Sequence, residues 1–277
     1  MIRGPWVRPK AANEKYDQDG GKKIIGKLKP LKWYSGLHRS KGRREAGVFL
    51  VEGERAIKQV MAFHRDRVLE IVTSNEDSKV MGAPVRYVTP AQFRSISSMK
   101  TPQGVMAVVR LPDDTDQKNL PSDPGTPLLL MEDIQDPGNV GTLIRTAAAF
   151  GFQGILMTDK CADPFGPRAV QAGAGTVLNG WIRRHADIWE GIGRLKKQGY
   201  VLGALDPGGE EGPDALREEG HRILALGNEA GGLSGRLKST ADLRIHIPIN
   251  RRAAESLNVA VSGAIAMYLM TKAEKDG

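Results

Sequence analysis

The sequence predicts an α/β protein: a C-terminal α/β domain on a largely parallel sheet, preceded by a smaller N-terminal α/β domain. Short apolar runs alternate with stretches of helical apolar spacing, and strands that alternate with helices favour a parallel sheet. A segment rich in Pro, Asp and Ser interrupts the alternation at residues 112–126 and predicts a linker. Glycine accounts for 33 of the 277 residues, against a usual share of about 7%, which indicates many tight turns. We therefore expect a basic, disordered tail at 1–25 and domains at 26–111 and 127–277.

The elements of the N-terminal domain follow from local patterns. Runs rich in valine and isoleucine predict strands, and the apolar residues of 52–63 recur at the spacing of one helical face. In order, the predicted elements are a strand at 48–52, a helix at 52–63, strands at 68–73 and 85–89, a helix at 90–96 and a strand at 105–110.

The C-terminal domain opens with a buried-strand pattern and closes with a helix that is apolar almost all round and is expected to be buried. Further helices are expected between the later strands. The predicted strands are 127–132, 154–158, 200–206, 222–227 and 244–249, and the two clearest helices are 140–150 and 256–270.

Composition excludes several classes of protein. The single cysteine, Cys161, cannot form an intramolecular disulfide, and the five widely separated histidines form no cluster with zinc-ligand spacing. The longest uncharged run, 256–271, is too short and too polar to span a bilayer, and the first residues lack the apolar core of a signal peptide. We expect a cytoplasmic protein without a metal site or a membrane segment.

The positive charge is concentrated near the N-terminus. The net charge is +8, and residues 1–50, with thirteen Lys/Arg and four Asp/Glu, contribute +9. Such a cluster attracts nucleic-acid phosphates, and aromatic residues interleaved with the charges of 27–44 favour an RNA contact over a merely solvated face. The candidate RNA-binding residues are Lys32, Arg39, Lys41, Arg43 and Arg44, and the same charged run includes Lys22, Lys23, Lys27 and Lys29.

The usual nucleotide-binding fingerprints do not occur: no G-x-G-x-x-G follows a strand, and G-x-x-x-x-G-K-[ST] is missing. Three other segments follow predicted strands, where α/β sheets bind ligands. In the first, 136–145, Asn139 can cap a helix that begins at Val140, and Arg145 follows within two turns, so that both can face one cleft. Taken alone, this segment is explained as well by a capped helix carrying a surface arginine.

The second segment, 224–234, runs from a buried strand through Gly227 into a loop of small residues with one carboxylate, Glu229. Glycines there let a ligand approach the backbone, although a simple strand-to-helix turn is the alternative. In the third segment, 247–261, Ser256 and Asn258 open the closing helix, where they either cap it or leave N–H groups for a ligand.

Together, the three segments make the chain resemble the SpoU, or TrmH-like, branch of the SPOUT RNA methyltransferases. Residues 139–145 match the first motif of that family, 227–231 match the second, and 247–259 match the third. The N-terminal part, at 49–54 and 101–105, is similar to the substrate-binding domain of members that act on ribosomal RNA.

The resemblance implies a trefoil knot in the C-terminal domain, S-adenosyl-L-methionine as the cofactor, RNA and not DNA as the partner, and a homodimer formed through the knotted domains. The implied cofactor-binding residues are Leu226, Gly227, Asn228, Gly231, Ile247 and Leu257. The implied catalytic residues are Asn139, Arg145, Glu229, Ser256 and Asn258.

The expected activity is methyl transfer to a ribose 2′-hydroxyl, and large-subunit ribosomal RNA is the favoured candidate substrate. The resemblance makes Arg145 central, and because arginine stays protonated, a bidentate hold on the neighbouring RNA phosphate suits it better than the role of a base. Asn139 would orient Arg145 or the ribose, and Glu229 would position the arginine or groups of the partner chain. Ser256 and Asn258 would shape the methyl-transfer pocket. A transfer-RNA substrate and a non-catalytic ribosome-assembly factor on the same scaffold remain the alternatives.

Overall fold

Two β-sheets organise the chain. The computed structural model describes residues 29–75, 82–217 and 220–272. The expected tail at 1–25 and the charged residues Lys22, Lys23 and Lys27 lie outside these described residues. Within them, a four-stranded sheet belongs to the N-terminal domain and a six-stranded sheet to the C-terminal domain.

The N-terminal domain contains all four predicted strands and two helices that the sequence did not predict. Its elements are α1 (Leu31–Gly36), α2 (Ser40–Ala46), β1 (Val48–Glu52), α3 (Glu54–Phe63), β2 (Val68–Thr73), β3 (Val85–Tyr87), α4 (Pro90–Ile96) and β4 (Val105–Arg110). The strand order is β1-β4-β2-β3, and only β2 and β3 run parallel. Helix α3 begins two residues later than predicted because Gly53, with φ of 94°, turns the chain between β1 and the helix.

The C-terminal sheet has the order β10-β8-β9-β5-β6-β7, and every pairing in it is parallel. The prediction of an α/β domain on a parallel sheet is therefore confirmed. The elements of the C-terminal domain are β5 (Leu128–Met131), α5 (Pro137–Ala149), β6 (Gly154–Met157), α6 (Pro167–Gly173), β7 (Trp181–Arg184), α7 (Trp189–Lys197), β8 (Val201–Leu205), β9 (Arg222–Leu226), α8 (Gly235–Thr240), β10 (Leu243–Ile245) and α9 (Val259–Lys272).

Successive residues of β5 face opposite sides of this sheet. Leu128 and Leu130 belong to the core beneath α7 and α8, and Leu129 and Met131 belong to the core beneath α5, α6 and α9. The second core continues into the N-terminal domain, where Phe49 of β1 lies 5.1 Å from the ring of Phe165. The two domains thus share one apolar core, which fixes the position of one against the other.

Two glycines bring the helices of this face close together. A Cβ on Gly141 of α5 would lie 2.1 Å from the carbonyl oxygen of Ala169 in α6. A Cβ on Gly263 of α9 would lie 2.5 Å from Leu143 and 2.7 Å from Leu226. These close approaches seat α9 against α5 and β9, and so bring the start of α9 to the carboxyl end of β9. The trefoil knot stays a prediction.

The closing helix differs from its prediction in two respects. It begins at Val259 and not at 256. It is also not buried all round, because Val261 and Tyr268 are half exposed on its outer face. The preceding strand, predicted at 244–249, ends at Ile245, where the neighbouring β8 ends at the paired Leu205.

The segment at 112–126 packs along β7 at the edge of the sheet. The Trp181 indole donates a hydrogen bond to the carbonyl of Pro124 at 2.8 Å, and Arg183 pairs with Asp114 at 2.7 Å. The segment therefore covers an edge strand that would otherwise be open to another chain. None of the helices in the described ranges is long and apolar enough to cross a membrane.

Candidate active site

The predicted site residues Asn139, Glu229 and Asn258 meet at the carboxyl edge of the C-terminal sheet, beyond β5 and β9. Helix α5 begins at Pro137, and its cap is Asp136, whose Oδ1 accepts a hydrogen bond from the backbone N–H of Asn139 at 3.0 Å. The prediction that Asn139 caps this helix at Val140 is wrong, because proline at the first position already presets the helical φ and places the cap before it. Asn139 lies within the first turn, and its side chain is left for other contacts.

The Asn139 side chain bridges the other two motif segments. Its Nδ2 donates to Oε1 of Glu229 at 2.9 Å, and its Oδ1 accepts from Nδ2 of Asn258 at 3.1 Å. One amide thus connects the loop after β9 with the start of α9. This arrangement fixes the orientation of the amide, since exchanging its oxygen and nitrogen would break both bonds.

Glu229 is an orienting carboxylate that accepts three hydrogen bonds. Besides Asn139, it accepts hydrogen bonds from the backbone N–H groups of Gln135 at 3.2 Å and Asp136 at 3.1 Å. Burial raises the pKa of the Glu229 carboxyl, but the hydrogen bonds from Asn139 and the backbone outweigh that effect, and the pKa is lowered on balance. The carboxylate therefore stays ionised and holds the turn before α5 in place.

Asn258 also caps α9, because its Oδ1 accepts from the backbone N–H groups of Ala260 at 2.9 Å and Val261 at 3.3 Å. Ser256 was the other candidate cap, and it does not cap the helix: it lies outside the helix, exposed, without a hydrogen bond to any described residue. Its hydroxyl is consequently accessible at the mouth of the site.

The loop after β9 is closed by its own residues. The backbones of Asn228 and Gly232 exchange two hydrogen bonds, of 3.0 and 2.9 Å. The Asn228 side chain accepts from the N–H groups of Ala230 and Gly231 and donates to the carbonyl of Asp133 at 2.8 Å. A Cβ on Gly227 would lie 2.3 Å from the carbonyl carbon of Gly232. Asn228 and Gly227 therefore shape this loop through its backbone.

Sequence reasoning missed two residues that anchor the same loop. Glu132, at the end of β5, is 7% exposed and accepts hydrogen bonds from both the N–H and the hydroxyl of Ser234 at 2.7 Å. Asp133 adopts a positive φ of 55°, and its carboxylate accepts from the Thr158 hydroxyl at 2.7 Å. Two acidic residues directly after an apolar strand were the signal available in the sequence.

The backbone around this loop suits a ligand with an adenine or a similar polar edge. The N–H groups of Gly227, Ile247 and Leu257 make no hydrogen bond to any residue that the structure describes. Ile247 and Leu257 are half-buried, and Leu226 is buried beneath the loop. A site for S-adenosyl-L-methionine, the cofactor that the resemblance implies, requires open backbone donors beside apolar side chains. The residues present here therefore fit that cofactor.

Arg145 lies on the third turn of α5, with its side chain exposed and with no hydrogen bond or ion pair to the rest of the described chain. The apolar residues Leu143, Ile144 and Ala147 form the buried side of the same helix. Six residues of helix rotate the chain by about 600°, so Arg145 projects about 120° away from Asn139. The structure therefore leaves this guanidinium available to a substrate.

Four of the five candidate RNA-binding residues are exposed, namely Lys32, Arg39, Lys41 and Arg44. The prediction for Arg43 is wrong. This side chain is 4% exposed, and it donates to the carbonyls of Leu37 and His38 and to the Asp163 carboxylate at 2.5 Å. A guanidinium enclosed in this way cannot reach a phosphate, and it connects α2 to the C-terminal domain instead.

Comparison with known families divides the chain in the same manner. The SpoU rRNA Methylase family matches residues 127–268, and the MRM3-like substrate binding domain matches residues 29–107. The first match contains the whole six-stranded sheet and every residue of the candidate site.

Individual relatives agree with the family match. The 23S rRNA (guanosine(2553)-2′-O)-methyltransferase RlmP of Bacillus subtilis is 28% identical over 252 residues, which cover 87% of this chain and 96% of the relative. The solved structure of a TrmH-family protein from Porphyromonas gingivalis has 28% identity and a TM-score of 0.72, covering 88% of this chain and 98% of that one. The fold of AviRb from Streptomyces viridochromogenes, solved with AdoMet, is similar at a TM-score of 0.76 and 24% identity, covering 89% and 98%.

Proposed function

Because this chain belongs to the SpoU rRNA methylase family, we propose that it transfers a methyl group from S-adenosylmethionine to a ribose 2′-hydroxyl of large-subunit ribosomal RNA. The observation that carries the proposal is the hydrogen-bonded bridge from Glu229 through Asn139 to Asn258, which joins the three motif segments at one edge of the sheet. The name of the Bacillus subtilis relative supports this RNA class, since the two proteins align over most of both chains.

The cofactor, when bound, supplies a methyl group that is bonded to a positively charged sulfonium sulfur and is therefore activated for transfer. The backbone groups of Gly227, Ile247 and Leu257 would hold its adenosine part, and Asn228 and Gly231 would keep the loop closed around it. Methyl transfer requires the attacking oxygen to lie in line with the methyl group, and such alignment lowers the barrier substantially. The rigid loop and the capped start of α9 serve that alignment.

Arg145 would bind the RNA phosphate beside the target ribose through two parallel N–H···O hydrogen bonds of its guanidinium. An arginine cannot accept the 2′-hydroxyl proton, because it stays protonated in proteins. Glu229 is unsuited as well, because its oxygens already accept from Gln135, Asp136 and Asn139. Neither side chain accepts the proton, so its removal would depend on the substrate phosphate that Arg145 holds. Ser256, whose hydroxyl has no partner among the described residues, would contact the ribose.

We also propose that the protein acts as a homodimer through the outer face of α9. Val261, Ile265 and Tyr268 are 50%, 36% and 49% exposed, and their spacing of four and three residues places them on one side of the helix. An apolar stripe of this kind is expected to be covered by a partner.

Light scattering tests this proposal, and it should give about twice the 30.1 kDa of one chain. Tyr268→Glu should reduce that mass to one chain, and Tyr87→Glu, at an equally exposed position of the N-terminal domain, should not. A monomeric wild type contradicts the proposal.

The proposed activity is tested with three purified RNAs: large-subunit rRNA, small-subunit rRNA and tRNA. Each is incubated with the protein and methyl-labelled S-adenosylmethionine and then digested with alkali, to which a 2′-O-methylated linkage is resistant. We expect labelled, alkali-resistant dinucleotides from large-subunit rRNA alone. Label in tRNA would instead support the transfer-RNA alternative, and RNA binding without label would support a non-catalytic assembly factor.

The proposed ribosomal substrate also agrees with the expected cytoplasmic location, which stays a prediction.

A further inference from the structure

Helix α2 meets the loop before α6 where the two domains join. Arg43 of α2 reaches the carboxylate of Asp163, three residues before the cap of α6, at 2.5 Å. Burial raises the pKa of Asp163, but the Arg43 charge and hydrogen bond outweigh it, and the pKa is lowered. Together with the contact of Phe49 and Phe165, this ion pair sets the exposed cations of α2 at a fixed position against α6.

Helix α6 and the loop before it carry two exposed cations toward the candidate active site. Arg168, in the first turn of α6, lies 3.8 Å from the carboxylate of Asp136, the cap of α5. Lys160, in the loop between β6 and α6, lies 3.4 Å from Asp133 at the end of β5. Both side chains are more than 70% exposed. Ion pairs with this exposure contribute little and leave the cations accessible to another anion.

We propose that Lys160 and Arg168 continue the RNA-phosphate surface of Arg39 and Arg44 across the domain junction to the methyl-transfer site. This inference rests on the proposed function and names the path of the RNA on the protein. Arg39 and Arg44 have no ionic partner among the described residues, and the junction between them and Arg168 is bridged by Arg43 and Asp163. An RNA strand lying along these cations would reach Asn139 directly, because Arg168 pairs with Asp136 at the start of the same helix.

A purely structural role for the two cations makes a different prediction. If Lys160 and Arg168 served only to neutralise Asp133 and Asp136, removing them would alter the melting temperature and leave RNA affinity unchanged. If they bind phosphates, affinity for RNA of any sequence falls and its dependence on salt weakens, because fewer counterions are released on binding.

The test compares K160Q/R168Q with R194Q/K197Q, a matched control. Arg194 and Lys197 are exposed on α7, which packs against the opposite face of the sheet. Filter binding to large-subunit rRNA is measured over a range of salt concentrations for the wild type and both variants. For K160Q/R168Q we expect an affinity about tenfold lower at about 0.1 M salt and a log–log salt slope reduced by about 1.5. The control should match the wild type, and all three should melt together.

Methyl transfer measured in parallel separates this inference from the proposed function. In K160Q/R168Q the KM for RNA should rise about as much as the dissociation constant, while kcat and cofactor affinity stay unchanged. A variant with wild-type RNA affinity and salt slope overturns the inference, even when the wild type methylates rRNA. A wild type that binds rRNA without methylating it contradicts the proposed function, and the salt slopes still decide whether Lys160 and Arg168 bind phosphate. A wild type that does not bind rRNA overturns both.

Discussion

Arg145→Ala should abolish methyl transfer and leave the fold intact. The side chain is exposed and has no partner among the described residues, so its removal should change the free energy of unfolding by no more than about half a kcal/mol. In the reaction, the same side chain would hold the phosphate beside the attacked ribose, and contacts that stabilise the transition state are commonly worth about 10²–10³ in rate. The variant should therefore lose at least about a hundredfold in single-turnover rate at saturating cofactor.

Two further variants make this result specific. Arg145→Lys should recover little activity, because an ammonium group cannot hold a phosphate with two parallel hydrogen bonds. Arg194→Ala, on the opposite face of the sheet, removes another exposed arginine and should keep the wild-type rate. Thermal melts and S-adenosylmethionine binding should be unchanged in all three. An Arg145→Ala protein that retains more than about a tenth of the rate, against an expected loss of about 10², would refute the assigned role.

The sheet that holds the site was predictable because its central strands are short apolar runs buried on both faces. Strands β5 and β9 follow the predicted limits to within a residue or two. The edge strand β7 escaped prediction because two of its four residues are arginines. Arg183 is nonetheless buried, and its charge is matched by Asp114 of the preceding segment. A strand of this composition can be identified only from the tertiary contact that neutralises it.

The bridge through Asn139 could not be derived from spacing. It joins residues 90 and 119 positions apart, and the sequence shows only that each follows a strand or precedes a helix. The two adjacent arginines Arg43 and Arg44 illustrate the same limit. Charge patterning treats them alike, but one faces the domain junction and the other faces solvent. The rest of the fold covers one face of the helix, and the basic residue on that face becomes buried and paired. The sequence alone does not show which face this is.

Gly227→Ala should destroy most of the cofactor affinity. The added Cβ would lie 2.3 Å from both the carbonyl carbon of Gly232 and the backbone nitrogen of Leu233. Because these are backbone atoms, no side-chain rotation relieves the overlap, and overpacking of this kind costs about 1–3 kcal/mol. The relief available is to open the turn that Asn228 and Gly232 close with two hydrogen bonds. That movement displaces the Gly227 backbone from the position at which it would contact the adenosine.

Calorimetry with S-adenosylmethionine and S-adenosylhomocysteine measures this effect. We expect the wild type to bind both ligands, with no heat from NAD or ATP, and we expect Gly227→Ala to bind at least about tenfold more weakly, a change of 1.4 kcal/mol. The matched control is Gly235→Ala at the first position of α8, where a Cβ meets nothing within 4 Å. This control should bind like the wild type, since alanine is favoured over glycine in a helix. Unchanged affinity in Gly227→Ala would show that the loop after β9 does not determine cofactor binding. An equal loss of cofactor affinity in both variants would show that the close approach of Gly227 to Gly232 is not the cause.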